Sequence, residues 1–325
     1  MKLARYVGGG VVEIQDAPEP TLPEAGLIVE TEACGLCSGE LVAWYMDRKA
    51  GGHVLGHEVS GRVIASDDER FPVGSRVFAH HHAPCGQCEM CRTGRPVHCS
   101  TWKATKLSPG GMAERFAVAR ENLADTIRTD DLRPEDAALI EPLACVVKCL
   151  RLAGPVREGG RVAVVGLGVM GLLHLLLLKA QGIDAVGYDL NPDRVQWARE
   201  HGLAADAPPE SPAREFALAV VCPGLQPAAD LGFALVEPEG TVAMFAPLAP
   251  GERLAVPNEA YFLDLKVIHA YSCGPADTAE AARALRAGEL RAEDVVSDRL
   301  TGLDTLPAAY KRMRDGEILK AMVVF

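Results

Sequence analysis

The sequence of 325 residues lacks several features that would mark other classes of protein. It has no excess of basic residues, and its net charge of −11 argues against nucleic acid or an anionic membrane as a partner. Its start, MKLARYVGGG, has neither the apolar core nor the cleavage site of a signal peptide. It also has no repeat, low-complexity tract or long run of one charge. These absences lead us to expect a cytoplasmic globular protein.

An uninterrupted apolar stretch long enough to cross a membrane is missing as well. The most apolar run, residues 162–178, is broken by three glycines and a histidine and divides into a strand, a turn and a helix. The chain is too long for one ordinary hydrophobic core, so we expect two domains.

Ten cysteines are present, and without an export signal they indicate reduced thiols and metal binding rather than disulfides. Four of them lie in the segment CGQCEMCRTGRPVHC with the spacing Cys-x2-Cys-x2-Cys-x7-Cys. They are Cys85, Cys88, Cys91 and Cys99. Four thiolates can complete a tetrahedral shell around one Zn²⁺ and leave no open position. The segment 85–99 therefore predicts a structural zinc site.

Three regions differ in pattern. Residues 1–142 contain short alternating runs typical of antiparallel strands joined by turns. In residues 143–270, apolar strands such as RVAVV alternate with helical segments, which predicts a doubly wound parallel sheet. Residues 271–325 return to mixed structure and end in an apolar strand, AMVVF. The predicted fold class is α/β.

A glycine-rich turn follows the strand RVAVV and opens a helix. Gly166, Gly168 and Gly171 form G-x-G-x-x-G, with Val169 and Met170 between the last two. In this context the turn and the helix N-terminus can bind the pyrophosphate of a dinucleotide.

The second strand of this region ends at Asp189. A carboxylate there can bind the ribose hydroxyls of adenosine and would repel a 2′-phosphate, which favours NAD over NADP. Arg194 on the next helix could still pair with a phosphate, although a solvated helix residue is the simpler interpretation.

Candidate ligands for a second metal lie outside the four-cysteine segment. Cys37 is found in ACGLCSGE, His57 and Glu58 in VLGHEVSG, and Glu141 in LIEPLAC. Taken singly, they could be a buried cysteine, a turn histidine and helix-capping glutamates. Together, a thiolate, an imidazole and a carboxylate supply three ligands and leave a fourth position open, which is the catalytic zinc pattern.

The chain resembles the zinc-dependent medium-chain dehydrogenase/reductase family. The resemblance rests on the metal-ligand segments, the four-cysteine segment and the glycine-rich turn, together with GGMAERFAV and GEILKAMVVF, which occur in the same order as in that family. The resemblance spans nearly the whole chain. It implies a GroES-like catalytic domain (1–142 and 271–325), a Rossmann NAD-binding domain (143–270), an active-site cleft between them, and a homodimer or homotetramer. It further implies two Zn²⁺ per chain and an alcohol or ketone as the small-molecule substrate.

By position, Cys37 and His57 match the family's catalytic zinc ligands. Glu141 matches the third ligand of members with a Glu-Pro motif, and Glu58 matches a glutamate that can exchange onto the metal. The carboxylate at Glu141 makes the chain resemble the polyol, sugar and threonine dehydrogenases. The implied chemistry is transfer of a hydride between NAD(H) and a secondary alcohol or ketone, with a polyol, sugar or cyclitol as the substrate.

The chain departs from the family at the proton relay. The family's Ser or Thr two residues after the catalytic cysteine is Gly39 here, and the histidine five residues after it is Val42. Ser38, Tyr45 or a water could substitute, and we favour Ser38.

Other polar and aromatic residues allow more than one interpretation. His80, His81 and His82 are adjacent, and neighbours on a strand point to opposite faces, so at most two could share an ion. Lys148 is either a surface residue or a contact to substrate or cofactor phosphate. Trp44, Tyr45 and Trp102 either line the substrate pocket or pack in the core.

Two other functions stay open at this point. One is a primary alcohol or aldehyde reductase of the same family. The other is a non-catalytic member that binds NAD and zinc, for which the altered relay is the only support. The four-cysteine segment argues against the zinc-free quinone reductases.

Overall fold

The computed structural model describes residues 1–49 and 52–325 and divides them into two compact units. The first unit comprises residues 1–144 and 273–325, and the second comprises residues 145–272. Among the described residues, no helix combines the length and apolar character needed to cross a membrane.

The first unit begins as a β-rich fold with short helices in its connections. Its strands are β1 (Lys2–Gly8), β2 (Val11–Asp16), β3 (Leu27–Gly35), β4 (His53–Val54), β5 (Glu58–Ser66), β6 (Arg76–Ala79), β7 (Arg115–Val118) and β8 (Thr126–Arg128). Its helices are α1 (Ala43–Met46), α2 (Glu89–Arg92), α3 (Ser100–Ala104) and α4 (Pro134–Ala138). The helix α5 (Ile140–Ala153) then carries the chain into the second unit.

The second unit is built around a parallel sheet of six strands. The strands are β9 (Val162–Val165), β10 (Ala185–Tyr188), β11 (Ala205–Asp206), β12 (Phe216–Val221), β13 (Val236–Met244) and β14 (Lys266–His269). The helices are α6 (Val169–Ala180), α7 (Pro192–Glu200), α8 (Gln226–Leu235) and α9 (Glu259–Phe262). The spatial order β11-β10-β9-β12-β13-β14 is that of a Rossmann fold.

The apolar character of these strands explains the parallel arrangement. All four residues of β9 are buried, and β9 pairs in parallel with both β10 and β12. Strands covered on both faces need apolar side chains on both faces, which short Val- and Ala-rich runs provide. The predicted doubly wound sheet is confirmed.

The chain then returns to the first unit. It adds α10 (Pro275–Arg286), β15 (Asp298–Thr301), α11 (Leu306–Arg314) and β16 (Ala321–Val324). The larger sheet of this unit has the order β15-β16-β3-β5-β6-β8, with β7 also paired to β3. Strands β15 and β16 are parallel, whereas the other pairs are antiparallel. This parallel pair lies in residues 271–325, for which no strand direction was predicted, and α11 connects its two strands as a crossover. The antiparallel pairs among β3, β5, β6, β7 and β8 agree with the prediction for residues 1–142.

Candidate active site

The four cysteines of the segment 85–99 converge as predicted. Their sulfur atoms all lie within 4.8 Å of one another. The distance from Cys85 Sγ is 4.0 Å to Cys91 and 3.6 Å to Cys99, and Cys88 Sγ lies 3.5 Å from Cys91 Sγ. A tetrahedral Zn²⁺ with Zn–S bonds of about 2.3 Å requires sulfur separations of roughly 3.8 Å. The four sulfurs therefore fit one zinc ion.

Backbone donors in the same segment favour thiolates. The Cys88 N–H donates to Cys85 Sγ at 3.3 Å, and the Cys85 N–H donates to Cys99 Sγ at 3.5 Å. Hydrogen bonds from the backbone of Gln87 and Cys88 lower the pKa of the Cys85 thiol. None of the ten cysteines forms a disulfide, and all ten lie within the described residues. Trp102 is buried against this segment, so it packs in the core rather than lining a pocket.

A second group of ligand atoms lies at one end of β3 and β5. Cys37 follows β3, His57 precedes β5, and Glu58 is the first residue of β5. Gly35 pairs with Glu58 in the ladder that joins the two strands. This pairing brings the ligand atoms of Cys37, His57 and Glu58 within 4.8 Å of one another. A thiolate, an imidazole and a carboxylate form a donor set that suits zinc and leaves a position open.

His57 is oriented by a buried carboxylate. Its Nδ1 lies 3.4 Å from Oε1 of Glu40, which is only 1% exposed and also accepts the Gly56 N–H at 2.9 Å. Burial alone would raise the pKa of Glu40, but His57 and the Gly56 N–H outweigh it and lower that pKa. With Nδ1 directed at Glu40, the Nε2 atom of His57 is the one available to a metal, as in many zinc sites.

Glu58 has a buried cation beside it. Lys320 is fully buried, donates to Oε2 of Glu58, and also donates to the Leu36 carbonyl at 3.2 Å. A Cβ atom at Gly35 would meet the Glu58 carboxylate, so a larger residue there would displace that carboxylate from its present position. Lys320 immediately precedes β16, whose residue Met322 pairs with Gly35. The pairing of β3 with both β5 and β16 therefore brings Glu58 and Lys320 together, and Lys320 holds one carboxylate oxygen of Glu58.

Glu141 lies in a different cluster from Cys37. Its carboxylate forms a group with His80 and His81, in which the ligand atoms lie within 4.8 Å of one another. Burial raises the pKa of the Glu141 carboxyl, and nearby His57 opposes that rise. Glu141 is thus near the three-residue cluster of Cys37, His57 and Glu58 but not part of it. Its role as a third zinc ligand stays a prediction.

His80 is held at both ring nitrogens. Its Nδ1 lies 2.6 Å from Asp125 Oδ2, its Nε2 lies 3.6 Å from Cys273 Sγ, and Thr278 donates to Asp125 Oδ1 at 2.5 Å. All four side chains are buried. Burial alone would lower the pKa of His80, but Cys273 and Asp125 raise it. These contacts hold the His80 side chain in one orientation and so anchor the start of the segment 80–82.

The three histidines are not part of a strand. Strand β6 ends at Ala79, so His80, His81 and His82 lie beyond it. The His81 ring centroid is 4.9 Å from that of His80 and 4.1 Å from that of His82. The premise that this segment is a strand was wrong, because β6 ends at Ala79, whereas the limit of two histidines at one ion agrees with the group of His80, His81 and Glu141.

The glycine-rich turn of the second unit has the geometry of a dinucleotide site. Gly166 has φ of +91°, a region that favours glycine. A Cβ at Gly171 would collide with the Gly166 carbonyl oxygen, whereas a Cβ at Gly168 would meet open space. Gly168 is the N-cap of α6, whose first residues are Val169 and Met170. The backbone can therefore approach a pyrophosphate at the helix N-terminus.

Asp189 follows β10 and is tied to the glycine turn. Its Oδ2 accepts the Leu167 N–H at 2.6 Å, and its Oδ1 accepts the Asn191 N–H at 2.8 Å. Arg194 Nη1 lies 3.6 Å from Asp189 Oδ2, so Arg194 is an ion-pair partner and not only a solvated helix residue.

In the same unit Lys148 is buried and donates to the Tyr271 carbonyl, so it is not a surface residue.

Comparison with known proteins decides the family. The model of the alcohol dehydrogenase GroES-like domain matches residues 23–128. A D-altritol 5-dehydrogenase from Agrobacterium fabrum is 33% identical over an alignment of 335 residues that covers 98% of each chain. The chain belongs to the zinc-dependent medium-chain dehydrogenase/reductase family. The GroES-like and Rossmann domains that the resemblance implied are confirmed with it.

Further relatives agree with this assignment. Sorbitol dehydrogenase from Bacillus subtilis is 29% identical over 62% of this chain and 59% of its own length. The crystal structure of a zinc-binding dehydrogenase from Sinorhizobium meliloti, bound to NADP, superposes with a TM-score of 0.87 at 23% identity. The superposition covers 100% of this chain and 99% of that one. At that identity the superposition is evidence only that the two proteins share a fold, and it is not evidence about the cofactor of this chain.

Several residues of the site were missed by sequence reasoning. The sequence position of Glu40 could have indicated its place in the site, since an acidic residue three positions after Cys37 can turn back towards the metal ligands. The position of Lys320 beside the apolar terminal strand AMVVF is a weaker indication that this lysine is buried in the site. Asp125, Thr278 and Cys273 had no local signal, because each takes part through contacts distant in sequence. Ser38, the favoured relay residue, is exposed in a short 3₁₀ helix, Ser38–Leu41.

Proposed function

We propose that this protein is an NAD-dependent zinc dehydrogenase that interconverts a secondary alcohol and its ketone, with a polyol or sugar as substrate. The observation that carries the proposal is the cluster of Cys37, His57 and Glu58 in a chain that also has a complete dinucleotide turn. The D-altritol and sorbitol dehydrogenases among its relatives support a polyol as the substrate class.

Each residue of the cluster has a distinct part in this chemistry. Cys37 and His57 bind the metal, Glu40 holds the His57 imidazole in one orientation, and Lys320 balances the charge of Glu58. Glu141 is proposed as the third zinc ligand, and Ser38 as the residue that relays the substrate proton. When bound, zinc supplies Lewis acidity to the alcohol oxygen and NAD supplies the hydride acceptor.

NAD is the proposed cofactor because of Asp189. This carboxylate is positioned at the end of β10 by two backbone N–H donors. Negative charge there suits ribose hydroxyls and opposes a 2′-phosphate. Since Arg194 is already paired with Asp189, it is less available to a phosphate.

Two zinc ions per chain are proposed, one in each cluster, and the oligomer is proposed to be a homodimer or homotetramer. Both statements are open to direct measurement, by elemental analysis of purified protein and by light scattering.

Replacing Cys37 with serine tests the proposal. Cys37→Ser should lose turnover and one of the two zinc ions while its affinity for NAD stays within about twofold of wild type, because the dinucleotide turn is untouched. Cys149→Ser is the matched control, since Cys149 is a buried thiol outside every ligand cluster of the described residues. Full turnover in Cys37→Ser would refute the proposed function.

A further inference from the structure

The segment that joins Cys37 to His57 is held in place at two points. Near its start, the buried Glu40 has its Oε1 atom 3.4 Å from His57 Nδ1. Further along, Asp47 Oδ1 accepts the Tyr6 hydroxyl at 2.6 Å, which turns this carboxylate away from the residues that follow it. Both carboxylates of the segment are therefore engaged, and the cations after Asp47 lie on a fixed stretch of chain.

Two cations follow Asp47, and each lies over an aromatic ring. The Lys49 Nζ atom is 4.1 Å from the centroid of the Tyr45 ring, and the guanidinium carbon of Arg48 is 5.4 Å from that of Trp44. A cation–π contact orients a cation without neutralising its charge. Among the described residues, neither Arg48 nor Lys49 has a carboxylate within ion-pair distance.

Another cation, Lys106, belongs to a distant part of the chain. It follows Thr105, whose carbonyl oxygen lies 2.7 Å from His82 Nδ1. The His82 ring centroid is 4.1 Å from that of His81, which is 4.8 Å from that of His57. Lys106 therefore lies only a few side chains from a proposed metal ligand. It too has no carboxylate partner in the part of the chain that the structure describes.

His53 is the residue on which both lysines act. It is half-buried and lies four residues before His57. Burial lowers the pKa of His53, and the positive charges of Lys49 and Lys106 both lower it further. Two like charges near one imidazole also repel each other, which costs free energy unless an anion lies close to both. The pair of lysines thus has the chemistry of an anion-binding site beside the metal ligands.

We propose that Lys49 and Lys106 bind an anionic group of the substrate, a phosphate or a carboxylate carried at a distance from the oxidised carbon. The inference rests on the proposed function and narrows its substrate class to phosphorylated or acidic polyols and sugars. The chain has a net charge of −11, so two cations left without carboxylates at this place mark a local reversal of charge. Such a reversal attracts an anion to the site.

Matched substrates test this inference. Sorbitol and galactitol are compared with their monophosphates and with gluconate and galactonate, and the ratio of kcat/KM values for anionic and neutral substrate measures recognition of the charge. The variants are Lys49→Gln, Lys106→Gln, the double variant, and Lys49→Arg, which keeps the charge. Lys311→Gln is the control, because it removes the same charge from an exposed lysine on α11 that Asp315 already pairs.

Wild type should prefer an anionic substrate, and the ratio should fall about threefold in each single glutamine variant and about tenfold in the double variant. Lys49→Arg and Lys311→Gln should keep the ratio. Added salt should lower it in wild type more than in the double variant, because salt screens exposed charges. A gain for the phosphates alone or for the acids alone supports the inference and identifies the group. A wild-type preference for the neutral polyols overturns it, and so does an equal ratio in wild type and the double variant.

A binding measurement separates this inference from the proposed function. If wild type oxidises none of these compounds, the proposed function fails. Calorimetric titration of sorbitol 6-phosphate into zinc-loaded protein saturated with NAD then tests the anion site without turnover, since NAD occupies the dinucleotide turn. Weaker binding by the double variant than by wild type supports the inference. Equal affinities, or no binding by wild type, overturn it.

Discussion

The Nδ1 atom of His57 lies 3.4 Å from the Oε1 atom of Glu40, and the glutamate is almost fully buried. Because the same oxygen accepts the Gly56 N–H, the carboxylate is held from two directions. Glu40 directs Nδ1 of His57 away from the metal and leaves Nε2 for ligation. The arrangement is a carboxylate–histidine pair of the kind that tunes zinc sites.

The first prediction concerns this pair. Glu40→Ala should weaken binding of the metal at the cluster of Cys37, His57 and Glu58 by about 10- to 100-fold, because His57 loses the partner that orients it. Glu40→Gln should lose less, since its amide oxygen can still accept from His57. Competition with a chromogenic zinc chelator measures both. The zinc of the four-cysteine segment is the internal control, and unchanged affinity at both sites in Glu40→Ala would show that the contact has no role in metal binding.

The second prediction concerns cofactor choice. Asp189→Gly should raise kcat/KM with NADP and lower it with NAD, because the substitution removes a negative charge and frees Arg194 to pair with a 2′-phosphate. The ratio of the two values should move by at least about tenfold, equivalent to ~1.4 kcal/mol. Arg194→Ala in the Asp189→Gly background is the control, and it should remove the gain with NADP. An unchanged ratio in Asp189→Gly would mean that another residue selects the cofactor.

The third prediction concerns the acid stability of the Rossmann unit. His174 on α6 is fully buried, its Nδ1 lies 2.7 Å from the Met170 carbonyl oxygen, and its ring packs edge-on against Phe245. Burial lowers the pKa of His174 to about 4. As pH falls from about 6.5 towards 4, the unfolded chain gains a proton that the folded protein cannot accept, so stability is lost over that range.

The test compares urea unfolding of wild type and His174→Leu at pH 8 and pH 5. At pH 8 the histidine is neutral in both states, and any difference reflects packing alone. Between pH 8 and pH 5 the wild type should lose about 2 kcal/mol more than the variant. An equal loss in the two proteins would show that His174 is protonated without cost in the folded state.

Local features of the site could be predicted from the sequence because they depend only on the number of residues between neighbouring ligands or glycines. The four cysteines of the segment 85–99 and the glycines of the turn 166–171 act within one short stretch, so their convergence follows from the number of intervening residues. The alternation of strands and helices likewise predicted the parallel sheet.

Other features depend on contacts that no local pattern encodes. Lys320 meets Glu58 across 262 positions, and Thr278 meets Asp125 across 153. The direction of His81 could not be predicted for a different reason. It depends on where β6 ends, and strand ends are the least predictable part of an element. The grouping of Glu141 with His81 instead of Cys37 follows from that local geometry.

Reduction of NAD by a panel of polyols, followed by absorbance of NADH, tests the central claim most directly. The protein is assayed as purified, after chelation, and after zinc is restored, with its zinc content measured at each stage. We predict turnover of at least one polyol, its loss when the zinc held by Cys37, His57 and Glu58 is removed, and its return with zinc. Turnover that persists without that zinc would contradict the account, and so would two bound zinc ions with no oxidation of any polyol in the panel.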